Sequence, residues 1–220
     1  MEGSDPAARV VGERDSIERM FQGSLFGDTQ TGVDETFARL GRRALDERCW
    51  IDFAPDWLAG ADDTFSALEE ALDWEQRTVT MYERRLPEPR LTSWWSVASG
   101  TGEPLPVLAE ARRALSDNYG VRFDTIGFNW YRDGNDSVAW HGDLRGPRLP
   151  ESNIAIVSLG ARRPFRLRPR DGGRSISYEL GAGDLLVMGG ACQHRWQHCV
   201  PKQRGAGARI SITFRHSGVS

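Results

Sequence analysis

No stretch of this 220-residue chain is apolar for long enough to cross a bilayer, where about 20 consecutive apolar residues are needed. The opening residues, Met1-Glu2-Gly3-Ser4-Asp5, lack the basic region followed by an apolar one that marks a secretory leader, so export is not expected. Cysteine is scarce. Cys49, Cys192 and Cys199 are odd in number and show no CxxC spacing, which excludes a disulfide framework and a thiolate zinc site and suits reduced thiols in a cytoplasmic protein. Net charge is −3, so no overall basic field advertises a nucleic-acid partner. Internal repeats, low-complexity tracts and linkers are also missing, and one domain is expected. Nothing in the sequence suggests an obligate dimer or a membrane partner, so the reading is of a monomer.

What is present is an ordinary globular balance, 39% apolar and 27% charged residues, in a chain long enough for a proper core. Residues 1–40 are rich in Gly, Asp, Glu, Ser and Thr and read as a flexible N-terminal extension, partly ordered near Met20-Phe21 and Phe37. A first strand follows at Cys49–Phe53. A helix over residues 62–72, capped by Asp62 or Asp63, carries Phe65, Leu68 and Leu72 on one face. Thr78–Tyr82 and Arg90–Trp95 read as strands in a Pro-punctuated segment that also holds Arg84 and Arg85. Aromatics beside arginines there suit base stacking with phosphate contact, and they suit a packed hairpin equally. A second helix spans Pro104 to Asp117. From Arg122 onward eight short strands are expected, at 122–131, 137–141, 153–159, 164–168, 174–180, 184–188, 195–200 and 209–215, separated by Gly- and Asp-rich turns. The predicted fold is mainly β with flanking helices, a sandwich or jelly roll on which both helices pack. Residues 162–174 carry six arginines against the single acid Asp171, a basic strip able to contact phosphates or simply to be a solvated hairpin.

The chemistry gathers at His141-Gly142-Asp143, near the end of a short strand. Residues two apart on a strand share a face, so the imidazole and the carboxylate point the same way, with space beside Gly142. They are two thirds of the two-His-one-carboxylate set that holds non-haem Fe(II) and leaves coordination positions open. The third ligand should be His194 or His198. We choose His198, which lies just before Val200-Pro201, where its strand ends. His194 then reads as a surface or supporting residue and His216 as a tail residue. The last strand, Arg209–Arg215, places Arg209, Ser211, Thr213 and Arg215 on one face and Ile210, Ile212 and Phe214 on the other. Two arginines on a buried face are costly unless anions satisfy them, and a dicarboxylate with one carboxylate per guanidinium fork would do so.

The pattern Asn129-x-Tyr131, His141-x-Asp143, Trp196-x-His198 and Arg209-x5-Arg215 resembles the AlkB family of Fe(II)/2-oxoglutarate-dependent dioxygenases, which repair alkylated bases. The resemblance runs from about residue 127 to 215 and more loosely over 45–126. It implies a single domain over 41–220, with a double-stranded β-helix core at 127–215 and a nucleotide-recognition lid within 45–126. It further implies that His141, Asp143 and His198 bind Fe(II), and that Asn129, Tyr131, Arg209, Ser211 and Arg215 bind 2-oxoglutarate, with O2 as the second co-substrate. The implied activity is oxidative demethylation of bases such as 1-methyladenine and 3-methylcytosine in DNA, single-stranded or flipped from a duplex, and in RNA. The alternative is the same chemistry on RNA or tRNA, a protein or a small molecule. A flipped base would lie between His141 and Trp94 or Trp95. Arg84, Arg85, Arg90 and the 162–174 strip become phosphate contacts, and Trp140 and Trp196 lie near by sequence. The sequence departs from the family at Leu144-Arg145, where members that repair DNA commonly carry acids. Arg145 stands in that substrate position but cannot accept a hydrogen bond from an exocyclic amine.

Overall fold

The computed structural model describes residues 30–81, 84–143 and 149–217. The N-terminal extension up to residue 29, Tyr82, Leu144 and Arg145 lie outside the described residues. In chain order the strands and helices are β1 (Gly32–Val33), β2 (Gly41–Ala44), β3 (Cys49–Ala54), β4 (Leu58–Ala59), α1 (Ala61–Ala71), β5 (Thr78–Met81), β6 (Arg84–Pro87), β7 (Leu91–Ser96), α2 (Pro106–Tyr119), β8 (Thr125–Tyr131), β9 (Val138–His141), β10 (Ile154–Gly160), β11 (Arg163–Pro169), β12 (Ile176–Leu180), β13 (Leu185–Gly190), α3 (Cys192–Arg195), β14 (Trp196–Val200) and β15 (Arg209–Arg215). All eight strands expected after Arg122 are present, with ends moved by a few residues; β8, for example, begins at Thr125. Among the described residues no helix is long and apolar enough to cross a membrane.

Two sheets face each other. The larger runs β2-β3-β13-β10-β15-β8-β7 and the smaller β12-β11-β14-β9, while β5 and β6 form a separate hairpin before β7. This is the jelly roll expected. Its central strand shows why the sequence there is apolar without alternation. Ala155, Val157 and Leu159 of β10 join a core shared with Phe65 and Leu68 of α1 and Leu108 and Leu115 of α2. Ile154 and Ile156 of the same strand join a second core between the sheets, with Phe165, Leu167, Leu180 and Val200. A strand buried on both faces is apolar almost throughout; the exception in β10 is Ser158, whose hydroxyl accepts from Arg209. Strand β15 breaks this rule on one face only. Ile210, Ile212 and Phe214 enter the helix-side core, and the residues between them, all polar, turn into the gap between the sheets.

Local chemistry adjusts several expectations. Helix α1 is capped by Gly60 in the left-handed conformation (φ 66°), with no side-chain cap. Asp62 and Asp63 instead sit in its first turn, where negative charge opposes the exposed amide dipoles. Part of the expected extension packs: Gly32–Val33 pairs with β4, and the Phe37 ring lies 5.7 Å from that of Trp57. His216 is more than a tail residue. Its Nε2 accepts the amide of Asn153 at 3.0 Å and its ring meets Phe123 edge-on, tying the end of β15 to the start of β10.

Candidate active site

Strands β9 and β14 pair antiparallel in the smaller sheet, and His141 and His198 are direct cross-strand partners. Their rings lie 4.2 Å apart between centroids. Asp143, two residues past His141, follows the alternation onto the same face. Its Oδ1 is 3.7 Å from His141 Nε2 and its Oδ2 is 3.8 Å from His198 Nε2. One ligand atom from each of the three lies within 4.8 Å of the others. His198, and not His194, is the histidine that lies beside His141 and Asp143. His194 lies on α3, where its Nε2 hydrogen-bonds the Leu149 carbonyl.

The neighbours of these three side chains prepare them for a metal. His141 Nδ1 is 2.8 Å from the Ala139 carbonyl. A carbonyl only accepts, so Nδ1 carries the proton and Nε2 keeps its lone pair, as metal-bound histidines require. The Asp143 backbone amide donates to Oε1 of buried Gln193 at 2.9 Å, which fixes the turn after His141. The space expected beside Gly142 is taken by α3 and Arg170: a Cβ there would come within 2.7 Å of the Gln193 backbone carbonyl and 2.9 Å of Arg170 Nη2. Burial pulls the Asp143 carboxyl upward, but Arg215 and the two imidazoles outweigh it and hold it at about 2. Burial pushes His198 down to about 3, only partly opposed by Asp143. The set is therefore one carboxylate with a neutral His198 in the ordinary pH range, a donor set suited to Fe(II).

Acidification carries a consequence for the ligand-free protein. An unfolded histidine takes up a proton near pH 6.5, whereas folded His198 does so only near 3, so stability falls as pH drops below about 6.5. Asp143 adds a loss of the same sign, confined to the range between 3.8 and about 2. Urea midpoints at pH 7.5 and 5.5 should differ in the wild type and differ less in His198→Gln. An equal difference in both would contradict the buried, neutral imidazole.

Beside the three ligands lies a cavity lined by Asn129, Tyr131, Ser211, Thr213, Arg215, Arg90 and Trp94, together with His141, Asp143 and His198. Arg215 Nη2 reaches Asp143 Oδ2 at 3.2 Å, and its Nη1 is buried without a hydrogen-bond partner among the described residues. Arg209 is 1% exposed. Its Nε donates to Ser158 Oγ at 2.9 Å, while Nη1 and Nη2 have no hydrogen-bond partner among the described residues. Its guanidinium stands 5.3 Å from the Tyr131 ring centroid, and burial lowers its pKa to about 10. Three guanidinium nitrogens on two arginines without a partner among the described residues fit a dianion, since a buried donor left unanswered costs free energy that a ligand's carboxylates would recover. β15 parity placed Arg209, Ser211, Thr213 and Arg215 on one face, and the register of β8 sets Tyr131 opposite Arg209 and Asn129 opposite Ser211.

The expected substrate residues separate. Trp94 is 52% exposed, lines the cavity and lies 5.5 Å from the Arg215 guanidinium. Gly127 lets it come down onto β8, since a Cβ there would sit 2.7 Å from the indole. Trp95 points the other way. It is 8% exposed, belongs to the helix-side core and donates to the Gly102 carbonyl, so it cannot stack on a base. Arg90 is not a surface phosphate contact either: it pairs with Glu88 at 3.0 Å inside the cavity. Within the basic strip, Arg163 is fully buried and donates to the carbonyls of Asp133, Asp136 and Pro201, a structural clamp. Arg168 lies over Trp140 at 4.3 Å. Arg162, Arg166, Arg170 and Arg174 remain exposed. Trp196 donates to Asp46 and takes no part in the cavity. Sequence reasoning missed Glu88 and Gln193; the signal for Glu88 was its parity with Arg90 and Thr92, on the face that meets Asn129.

Comparison with known proteins converges on the same span. Residues 64–215 match the 2OG-Fe(II) oxygenase superfamily. The chain is 36% identical over 178 residues to the alpha-ketoglutarate-dependent dioxygenase alkB homolog 3 of Bos taurus, covering 72% of this chain and 62% of that protein. It is 34% identical over 177 residues to the Rattus norvegicus protein of the same name, covering 72% and 60%. The DNA oxidative demethylase ALKBH2 of Homo sapiens is 26% identical over 235 residues, covering 97% of this chain and 88% of that protein. The chain therefore spans about 60% of the length of the alkB homolog 3 proteins it matches.

Proposed function

This chain belongs to the 2OG-Fe(II) oxygenase superfamily, in its AlkB group, and on that premise we propose that it demethylates N-alkylated bases in DNA, with single strands as the preferred form and RNA as a second substrate. One observation carries the reading: the His141–Asp143–His198 set, Arg215 and the exposed Trp94 line one cavity, and buried Arg209 stands against Tyr131 of the same cavity wall. Fe(II) bound there with 2-oxoglutarate and O2 supplies hydroxylation of an N-methyl carbon coupled to decarboxylation of the keto acid to succinate.

The chain's residues then divide the work. His141, Asp143 and His198 hold the metal. Arg209 and Arg215 each answer one carboxylate of 2-oxoglutarate, within a wall that includes Asn129, Tyr131 and Ser211. Trp94 offers its face to an extruded base, opposite the His141 ring. The exposed arginines of β11 and of the turn before β12 follow the phosphate backbone. Hydroxylated N-methyl groups break down to formaldehyde and the restored amine, so no nucleophile–base pair is needed.

Base stacking on an aromatic side chain is worth about 1–3 kcal/mol. Trp94→Ala is therefore expected to weaken binding of a methylated single-stranded oligonucleotide roughly ten-fold or more, with Trp94→Phe recovering most of it and 2-oxoglutarate affinity little changed. Fluorescence anisotropy measures the first and anaerobic titration the second. Unchanged oligonucleotide affinity in Trp94→Ala would contradict the stacking role and turn attention to protein or small-molecule substrates.

A further inference from the structure

We propose that Arg90, anchored by Glu88, is a positioning residue that sets the orientation of the Asn129 amide for 2-oxoglutarate. The inference deepens the reading of the cavity given above and rests on it. Asn129 lies in β8 between Thr92 of β7 and Ser211 of β15, its partners in register, so it occupies the middle of the polar row on the inter-sheet face. Arg90 Nε donates to Asn129 Oδ1 at 3.0 Å. A guanidinium has only donors, so this contact admits just one of the two amide orientations: oxygen toward Arg90, NH2 away from it. The NH2 group is thereby left to donate to an anion in the cavity. Without Arg90 the amide could turn and present its oxygen, an acceptor, to a carboxylate or keto oxygen that also only accepts.

Arg90 is itself fixed in place. Its Nη2 meets Glu88 Oε2 at 3.0 Å, and the two side chains are 16% and 10% exposed. The intervening Pro89 limits the backbone, and the carbonyl of Pro89 accepts the Ser137 amide. Glu88 is held in turn through its amide to the Arg77 carbonyl and its own carbonyl to Gln76 Nε2. A guanidinium so enclosed and so paired is poorly placed for a phosphate in solvent. It is well placed to hold one neighbour in one rotamer, because the cost of ordering it has been met within the fold.

The test is anaerobic titration of the Fe(II)-loaded protein with 2-oxoglutarate, read by the visible metal-to-ligand charge-transfer band, for wild type, Arg90→Met, Arg90→Lys, Asn129→Ala and the double variant Arg90→Met/Asn129→Ala. Arg90→Met is expected to raise the 2-oxoglutarate dissociation constant roughly ten-fold, about the worth of one hydrogen bond to a charged group. Arg90→Lys, which keeps the charge but not the Nε donor, should fall close to Met. In the Asn129→Ala background the Arg90 change should add little, because a residue that acts through Asn129 has nothing left to position. Methylated oligonucleotide affinity should stay within two-fold. Additive single effects, full rescue by lysine, or a loss of oligonucleotide affinity with unchanged 2-oxoglutarate affinity would each overturn the inference. A wild-type protein without any 2-oxoglutarate-dependent band would overturn the reading of the cavity, and this inference with it.

Discussion

Arg209→Met is expected to unfold at a higher temperature than the wild type in the absence of ligands, and to lose 2-oxoglutarate binding by a factor of about 100–1000. Both effects come from the same atoms. Arg209 is buried with Nη1 and Nη2 unpartnered among the described residues, and a buried charge without compensation destabilises a fold by a few kcal/mol. Methionine fills similar volume with no polar atom. The loss on the other side is the Nε bond to Ser158, about 1 kcal/mol. The balance favours the variant by about 1–2 kcal/mol, or a few degrees in Tm for a chain of this size. The co-substrate, in contrast, loses its charge-assisted pair, which in a closed site is worth 2–5 kcal/mol. Thermal unfolding with and without 2-oxoglutarate measures both. With metal already bound, the wild type should gain Tm on adding 2-oxoglutarate and the variant should gain little. A variant that melts lower and still responds to 2-oxoglutarate would mean that the two free nitrogens face something other than the ligand.

His198→Ala is expected to abolish the charge-transfer band that Fe(II) and 2-oxoglutarate produce together, and to reduce turnover at least about 1000-fold. The ligand atoms of His141, Asp143 and His198 lie within 4.8 Å of one another, so removing one leaves a bidentate set in which the ion is held poorly and its open positions are no longer defined. Asp143→Ala should do the same and should also free Arg215, whose Nη2 is bound to the carboxylate. His194→Ala is the informative control, since His194 was the other candidate by sequence and is bonded to the Leu149 carbonyl instead. It should keep the band. Loss of the band in His194→Ala with retention in His198→Ala would reverse the assignment.

Strand parity made most of this site legible before any coordinates. His141 and Asp143 share a face because they are two apart, and the same rule separates the four polar residues of β15 from its three apolar ones, which all enter the helix-side core. Parity states that neighbours differ, not which of them faces inward. That is why Trp94 and Trp95 could not be distinguished: the choice depends on α2 and Gly102 lying behind Trp95, contacts distant from it in kind if not always in sequence. Burial of arginine was illegible for a related reason. The composition of the 162–174 strip suggests solvent, yet Arg163 is enclosed by three carbonyls from the Asp133–Asp136 turn and Pro201, and Arg90 by Glu88 and Asn129. A charged side chain goes inside when the fold brings partners to it, and those partners come from other elements. The Gly60 cap and the docking of His216 were missed likewise, since each is decided by backbone conformation or a tertiary contact.

The proposed demethylation is tested most directly by release of formaldehyde from single-stranded oligonucleotides carrying 1-methyladenine or 3-methylcytosine, with Fe(II), 2-oxoglutarate, O2 and ascorbate. The expected result is formaldehyde in step with succinate, absent in His198→Ala, and greater for methylated DNA than for its RNA counterpart. Succinate formed at the same rate with and without the methylated strand, and no formaldehyde, would leave the iron and co-substrate site intact and contradict the proposed substrate.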